Sequence, residues 1–304
     1  MTLQQILYVI TISNYSSMNK AAEALYISQP TLTNAVKDLE KEIGITIFKR
    51  TGKGTVPTVE GEEFLTYARQ LHQQYELLRG KYSSGNARIK FAVSSQHYSF
   101  AVKAFVETVK QFDMQKYDFA IREEKTSEVI SDVSSLKSEI GILYINDFNR
   151  KIINKILRDN DLEFHSLIHC NAYVYLWKGH PLAKNISITF AELSKYPCLS
   201  FEQGDKGSFY FAEEILSTNE YPQTIKVTDR STMLNLMIGL NGYTLCSGII
   251  CRELNGTEFI AVPYEPDEEN PNASMEIGYI LKKHNPISEI AKIYISEVSK
   301  YLND

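Results

Sequence analysis

The sequence has little of what marks membrane proteins, zinc proteins or exported proteins. A membrane-spanning helix needs about 18 uncharged apolar residues in a row, and no such run is present. The four cysteines include no CxxC pair and no cysteine–histidine set with zinc-site spacing, so we expect reduced structural thiols and no metal site. The N-terminus lacks the basic start, apolar run and small-residue cleavage site of an export signal, which predicts a cytoplasmic protein without a membrane partner.

Catalytic signatures are also missing. The chain contains no GxSxG nucleophile motif, no phosphate-binding loop and no GxGxxG, which are local patterns of hydrolases and nucleotide-dependent enzymes. His165 and His169 are close in sequence, but their segment has the pattern of a strand, in which their side chains would lie about 13 Å apart. The sequence therefore predicts no catalytic residue, no bound metal and no cofactor, and we do not expect an enzyme.

The charge of the chain is small and unevenly distributed. The 304 residues carry a net charge of −5, which argues against a uniformly basic nucleic-acid coat. Residues 1–87 account for +1 and residues 88–304 for −6. The length suits two or three domains, and DNA affinity in the first segment would require its cations to cluster on one face.

Two hydrophobic patterns divide the chain. Residues 1 to 82 have helical periodicity, interrupted by a turn-rich segment at 51–57 that favours a β-hairpin. From residue 87 onwards, strand and helix patterns alternate, which is typical of parallel sheets in α/β layers. One of the predicted helices covers residues 209–216.

Residues 29–43 have the pattern of a helix with one apolar and one polar face. Ser28 suits its N-cap, and Thr33, Asn34 and Lys37 fall opposite the apolar stripe. Such a polar face suits a DNA major groove. The alanine-rich helix before it and the tight turn that ends at Ser28 complete a helix-turn-helix geometry. From periodicity alone, an ordinary amphipathic helix with a solvated outer face is an equal alternative.

Taken together, residues 3–80 closely resemble the LysR-type transcriptional regulators. The motifs of that resemblance, in order and spacing, are an Ala-Ala helix, Ser28-Gln-Pro30, Leu39-Glu-x-Glu-x-Gly44, Phe48-x-Arg50 and Thr58-x-x-Gly61. The resemblance implies a winged helix-turn-helix domain over residues 1–58, which is all-α apart from its wing, and a linker helix for dimerisation over residues 59–87.

The resemblance also implies which residues meet DNA. Gln29, Pro30 and Thr33 match positions that approach bases, whereas Arg50 and Lys53 match the wing. A glycine-flanked hairpin tip would independently bring such cations close to phosphates. Asn34 stands where many members have arginine, which predicts a different base preference. The predicted DNA-binding residues are Ser28, Gln29, Pro30, Thr31, Thr33, Asn34, Lys37, Arg50 and Lys53.

The long helix after residue 58 carries an apolar seam with steps of four and three, the spacing of a coiled coil. Packing of this seam on the protein's own body is the alternative. The resemblance favours a dimer, which would hold two recognition helices about one DNA turn or more apart. The predicted dimerisation residues are Phe64, Ala68, Leu71, Tyr75 and Leu78.

Residues 88–304 resemble the effector-binding domain of the same family, with markers at 180–183, 190–193 and 240–243. The resemblance implies two α/β subdomains like those of periplasmic binding proteins, joined by crossovers near Asp161 and Asp267. The first subdomain would comprise residues 88–161 and 267–304, and the second residues 162–266.

Ligands of such sheets bind at the carboxyl ends of strands, beside helix N-termini. Hydroxyl groups there suit a carboxylate or another anion, Arg230 would add charge, and Glu202 would take an amine. The alternatives are helix capping by Ser231 and Thr232 and a local ion pair of Arg230. The predicted effector-binding residues are Ser94, Ser95, Gln96, His97, Asn146, Glu202, Gln203, Arg230, Ser231 and Thr232.

These features predict a sequence-specific DNA-binding transcriptional regulator, controlled by a small organic metabolite, anionic or zwitterionic, bound between two α/β subdomains. The resemblance further implies a homodimer or homotetramer on double-stranded promoter DNA, with RNA polymerase as a further partner. A solute-binding protein that uses the C-terminal domain without DNA regulation is the first alternative, and an enzyme with a DNA-binding appendage is the second. Salt-dependent binding to upstream DNA would distinguish the regulator from both.

Overall fold

The computed structural model describes residues 1–52, 54–82, 89–112, 116–204, 209–266 and 273–303. The chain forms two compact units, Met1–Ile89 and Lys90–Asp304. Among the described residues, no helix combines the length and apolar character that a bilayer crossing requires. All four cysteines are free thiols.

The first unit begins with three helices, each started by a hydroxyl side chain. They are α1 (Leu3–Tyr15), α2 (Met18–Ala24) and α3 (Gln29–Ile43). The side chains of Thr2, Ser17 and Ser28 accept hydrogen bonds from backbone N–H groups in the first turns, which satisfies donors that a helix leaves open at its start. Helix α3 ends at Gly44, which has a φ of 76° and forms the left-handed cap that glycine favours.

A hairpin and a long helix complete this unit. Strands β1 (Phe48–Thr51) and β2 (Gly54–Pro57) pair antiparallel, and helix α4 (Val59–Tyr82) follows. The three helices, the hairpin and the long helix predicted from the sequence are thus confirmed. Their common core includes the fully buried side chains of Val9, Ile12, Leu32, Leu39, Ile47 and Leu65.

The second unit contains a five-stranded sheet flanked by helices. The strands are β3 (Ile89–Ser95), β4 (Tyr117–Glu123), β5 (Ile140–Ile145), β6 (Leu162–Asn171) and β12 (Ser274–Lys282), in the order β4-β3-β5-β12-β6. The helices are α5 (Ser99–Lys110), α6 (Thr126–Ser134), α7 (Arg150–Asp159) and α11 (Glu289–Asn303). Helix α5 packs against α11, α6 against β5, and α7 against β6.

A second, smaller set of strands follows β6. Its elements are β7 (Tyr173–Trp177), α8 (Phe190–Leu193), β8 (Cys198–Phe201), β9 (Thr224–Val227), α9 (Arg230–Leu240), β10 (Thr244–Cys246), α10 (Arg252–Asn255) and β11 (Phe259–Pro263). Strand β7 pairs antiparallel with both β10 and β11, and β8 pairs parallel with β9. A bridge between Cys198 and Tyr243 connects the two sets. The unit therefore has the two α/β subdomains that the sequence predicted.

The structure corrects three details of the prediction. Strand β6, which we assigned to the second subdomain from residue 162, pairs with β12 in the first sheet, so the chain crosses over after Asn171 rather than near Asp161. The first sheet is mixed rather than parallel, because the chain leaves along β6 and returns along β12 in the opposite direction. Only a short 3₁₀ turn, Phe209–Phe211, stands where a helix over 209–216 was expected. The second crossover, predicted near Asp267, lies outside the described residues.

Candidate DNA-binding face and effector cleft

The polar face of α3 lies on the surface of the first unit. Its apolar stripe, Leu32, Val36 and Leu39, is buried against the other helices, which fixes the direction of the opposite face. The predicted residues of that face that are exposed are Ser28, Pro30, Thr31, Asn34 and Lys37, and those that are half-buried are Gln29 and Thr33.

Hydrogen bonds order the first turn of this face. Gln29 Nε2 donates to Thr33 Oγ1 at 2.6 Å. Ser28 Oγ accepts from the Thr31 N–H at 3.2 Å and lies 2.7 Å from Thr31 Oγ1. Because these side chains already restrain one another, they would lose less rotamer freedom when they meet a base edge.

The β1–β2 hairpin presents cations on the surface of the same unit. Lys49 and Arg50 are both exposed on β1; the sequence prediction included Arg50 and missed Lys49, its neighbour in the Phe-x-Arg motif. Gly54 has a φ of 122°, and a Cβ there would lie 2.5 Å from the carbonyl oxygen of Ser16, so only glycine lets the hairpin approach α1 this closely. Lys53, the other predicted wing residue, lies outside the described residues.

Two further motif residues, Glu40 and Thr58, hold the hairpin in place by hydrogen bonds. Sequence reasoning missed this role. Glu40 Oε1 accepts a hydrogen bond from the N–H of Ile47 at 2.7 Å. Thr58 Oγ1 donates to the carbonyl of Thr46 at 2.5 Å and accepts from the N–H of Gly61 at 2.9 Å. The Leu-Glu and Thr-x-x-Gly motifs were visible in the sequence. The groups to which Glu40 and Thr58 hydrogen-bond are set by the tertiary fold.

The second unit contains a cavity between its two subdomains, with a volume of about 80 Å³. Nitrogen-bearing side chains line it from both sides, with His97 after β3 and Arg230 at the start of α9. These two are the predicted effector residues that line the cavity. Gln203 lies behind the wall and joins the subdomains, because its Nε2 donates to Glu213 at 2.9 Å and its Oε1 accepts from the Thr126 N–H at 3.2 Å.

Gln96 also holds the wall rather than forming it. It is fully buried; its Nε2 donates to Thr126 Oγ1 at 2.5 Å and its Oε1 accepts from the Tyr98 hydroxyl at 3.1 Å and from the Tyr144 N–H at 3.0 Å. The side chain therefore orients Tyr98, which does line the cavity.

The structure does not bring the other predicted side chains of the first subdomain to the cavity. Ser94 Oγ donates to Asp132 at 2.8 Å, and Ser95 Oγ donates to the next carbonyl at 2.6 Å. Asn146 and Asn149 exchange hydrogen bonds at the start of α7. Their polar groups are used inside the fold: Ser95 and Asn146 bond to nearby backbone, as short polar side chains often do, and Ser94 bonds to Asp132.

The same correction applies to three residues of the second subdomain. Glu202 is exposed and away from the cavity wall. Ser231 and Thr232 are exposed in the first turn of α9, and Thr232 donates from its N–H and its hydroxyl to Asp229 at 2.8 and 2.7 Å. The N-cap of α9 is Asp229, so Ser231 and Thr232 belong to the capped turn rather than to the cavity wall.

Two family models match the chain, and together they cover most of it. The first, "Bacterial regulatory helix-turn-helix protein, lysR family", matches residues 3–62. The second, "LysR substrate binding domain", matches residues 113–301, more than half of the chain. The chain belongs to the LysR family. It is a LysR-type DNA-binding transcriptional regulator with a substrate-binding domain.

Curated relatives and solved structures agree with this assignment. The chain is 25% identical over 301 residues to the uncharacterized HTH-type transcriptional regulator YnfL of Escherichia coli, covering 95% of each chain. It is 26% identical over 294 residues to the HTH-type transcriptional regulator AlsR of Bacillus subtilis, covering 94% of this chain and 93% of AlsR.

Among solved structures, a full-length single-substitution variant of OxyR from Pseudomonas aeruginosa has a TM-score of 0.68 at 18% identity, covering 98% of this chain and 94% of OxyR. Full-length CbnR in complex with its target DNA has a TM-score of 0.55 at 16% identity, covering 99% of this chain and 100% of CbnR. At these identities the structural likeness supports the fold.

The linker helix of this LysR-type regulator divides the predicted seam in two. Ala68 is buried and Phe64 is packed in the core of its own unit, as the alternative interpretation held. Leu71, Tyr75 and Leu78 are exposed, Leu78 by 59%. Tyr67 is exposed near them, so an apolar stripe, defined here as Tyr67, Leu71, Tyr75 and Leu78, runs along the solvent side of α4.

Sequence reasoning missed the most unusual groups of the regulator's cleft, two adjacent buried carboxyls. Glu213 Oε2 accepts from both the backbone N–H and the ring Nδ1 of His97, each at 2.9 Å. The His97 ring lies flat on Phe201, with centroids 3.7 Å apart. Glu214 accepts from the N–H of Phe201 at 2.8 Å. The adjacent Glu-Glu pair was the available signal, but the residues around it were interpreted only as a helical pattern.

Burial controls the ionisation of Glu214. Loss of solvent, reinforced by the neighbouring Glu213 carboxylate, raises the pKa of Glu214 from 4.5 to about 8. Glu214 is therefore largely neutral near pH 7 unless a positive charge is placed beside it. Arg230 does not supply that charge, because it forms an ion pair with Glu123.

Proposed function

We propose that the exposed face of α3 reads base edges in the major groove of a promoter, while Arg50 and its hairpin neighbours contact phosphates. The observation that carries this proposal is the ordered row of amide and hydroxyl groups from Ser28 to Asn34, held outward by the buried stripe of α3. Amide side chains of this kind can make two hydrogen bonds to adenine, and hydroxyl groups can bond several base edges.

The domain division that we propose assigns residues 1–58 to DNA binding and residues 59–87 to pairing. The remainder, 88–304, takes up an effector, with its first crossover after Asn171. The exposed stripe of α4 supports pairing, since an apolar surface of this length favours a second copy of the helix. Pairing of dimers into a tetramer, contact with RNA polymerase and action in the cytoplasm, where promoter DNA is found, complete the proposal.

Control by a small organic effector is the second part of the proposed function. The hydrogen bonds of His97 and Gln203 join the two subdomains directly across the cavity. A ligand that binds the open and closed arrangements with different affinity would shift their populations by that difference, and would shift DNA affinity with them.

Band-shift measurements with the chain's own upstream DNA and a scrambled duplex test the DNA-binding role. Gln29→Ala should lower affinity for the specific site by about 1–3 kcal/mol and leave the scrambled duplex unaffected. Arg50→Ala should weaken both duplexes alike and reduce the slope of log affinity against log salt by about one.

Glu23, exposed on α2 and outside the predicted face, offers a control in Glu23→Gln, which should bind like the wild-type chain. Equal binding by the wild type and both test variants on both duplexes would overturn the proposed reading face. A solute-binding protein without a role on DNA predicts that result.

A further inference from the structure

The cavity between the subdomains has an acidic wall, where a positive charge would favour the ionised form of Glu214. Glu213 and Glu214 both line it, and their residues are only 8% and 7% exposed. Among the described residues, no lysine or arginine forms an ion pair with either carboxyl. The His97 ring hydrogen-bonds Glu213, and the nearby Arg230 is paired with Glu123. Buried carboxylates are costly without an opposite charge or full hydrogen bonding.

The same cavity contains a hydroxyl group with no partner. Thr244 is 5% exposed and lines the cavity. Its Oγ1 is fully buried and makes no hydrogen bond with the part of the chain that the structure describes. Nearly all buried polar atoms in folded proteins are hydrogen-bonded, so this hydroxyl marks a place for a polar group from outside the chain.

The ring of His97 shows what chemistry the acidic wall accepts. It places a nitrogen on Glu213 at 2.9 Å and its flat face on Phe201 at 3.7 Å. Tyr98 and Tyr175 add aromatic surface to the cavity. Carboxylates and aromatic faces in one pocket both attract cationic nitrogen, the first by charge and the second through the ring quadrupole.

We propose that this cavity binds the protonated amine of a small ligand, with the ammonium group beside Glu213 and Glu214 and a hydroxyl or N–H group on Thr244. The inference rests on the proposed function, since it names the chemical class of the effector. A ligand whose only charge is negative is disfavoured, because it would meet the Glu213 carboxylate, and Arg230 in the same wall is already paired with Glu123. The amine of a zwitterion fits the same wall, so the positive end is the part that this cavity selects.

The volume limits the size of the group that enters. A cavity of about 150 Å³ holds benzene, so one of about 80 Å³ holds roughly four non-hydrogen atoms. Ethanolamine has that size and carries both an ammonium and a hydroxyl group. Ethylene glycol has the same size without charge, and glycolate has nearly the same size with the opposite charge.

Calorimetric titration of the full-length chain with these three compounds, at matched ionic strength and pH, tests the inference. Ethanolamine should bind saturably, and glycolate and ethylene glycol should bind at least ten-fold more weakly. Glu213→Gln should weaken ethanolamine at least ten-fold, and the isosteric Thr244→Val several-fold. Glu220→Gln removes an exposed carboxylate of the same subdomain and should bind like the wild type.

Circular dichroism shows whether each variant is folded. If Glu213→Gln does not fold, Thr244→Val still tests the inference. Absence of ethanolamine binding, tighter binding of glycolate, or unchanged ethanolamine affinity in the folded variants would overturn the inference.

Band shifts on the same preparations separate the two proposals. If the wild-type chain binds the specific DNA more tightly than Gln29→Ala does but does not bind ethanolamine, only the proposed ligand class is wrong. If the wild-type chain does not bind DNA, the proposed function itself fails.

Discussion

At the scale of single residues, the absence of a side chain at Gly61 lets α4 begin directly against the hairpin. A Cβ there would collide with the carbonyl oxygen of Ile47, which belongs to the core of the unit. Backbone cannot move aside as a flexible side chain can. Gly61→Ala should therefore lower the free energy of unfolding by about 1–3 kcal/mol, the usual range for overpacking.

Chemical denaturation followed by circular dichroism measures this effect. Gly52→Ala is the matched control, since nothing lies within 4 Å of a Cβ at Gly52 and its stability should change little. Equal stability of the two variants would mean that α4 does not start where the structure places it.

The residue scale also gives a pH dependence. Burial raises the pKa of Glu214 from 4.5 to about 8, so between these values the folded chain holds a proton that the unfolded chain has released. The stabilisation that Glu214 contributes is complete below its pKa in the unfolded chain, 4.5. It is lost as the pH rises towards its pKa in the folded chain, about 8. The free energy of unfolding should fall by about 1 kcal/mol per pH unit in that window.

Glu214→Gln, which imitates the protonated acid, should remove this slope, whereas Glu220→Gln at an exposed position should retain it. Denaturation at a series of pH values compares the three proteins. A slope that is the same in wild type and Glu214→Gln would contradict the buried position of this carboxyl.

At the scale of elements, the sequence predicted α1–α4 and the hairpin well because local signals agreed. Ser28 at the N-cap, Gly44 at the C-cap and a regular apolar stripe all favour the same helix over 29–43. Residues 209–216 lacked such agreement, since their apolar spacing was helical without a cap. There the buried Glu213 and Glu214 carboxyls accept hydrogen bonds from loops and strand ends. The periodicity of apolar residues carries no information about such contacts.

The apolar stripe of α4 gives the prediction that belongs to this scale. Leu71→Glu should dissociate the pairing of two chains and leave each chain folded, because Leu71 is exposed and outside the core. A charge buried in an apolar contact costs several kcal/mol, so the dissociation constant should rise at least about a hundred-fold. Sedimentation velocity measures the change.

Two matched variants sharpen this experiment. Gln70→Glu adds the same charge beside the stripe and should keep the wild-type association. Ala68→Glu places it in the core of the unit and should unfold the unit. If Leu71→Glu associates like Gln70→Glu, then α4 does not pair through this stripe.

At the scale of the whole molecule, the two-part organisation was predictable, whereas the composition of the cleft was predictable only in part. The strand-end rule identified His97 and Arg230, because the ends of β3 and the start of α9 do face the cavity. It also selected Ser94 and Asn146, whose side chains are used within the fold. Thr244 and the acidic pair were missed, since their importance arises from burial, which only the assembled subdomains create.

The central claim is that the outward face of α3 enters the major groove of DNA as one of two symmetric copies. Dimethyl sulfate methylates guanine N7 in that groove, so interference footprinting on the upstream duplex tests the claim most directly. We predict two clusters of interfering guanines about one helical turn, or a whole multiple of turns, apart, with the pattern altered in Gln29→Ala. Binding that tolerates N7 methylation throughout, or that is disturbed only by methylation in the minor groove, would contradict it.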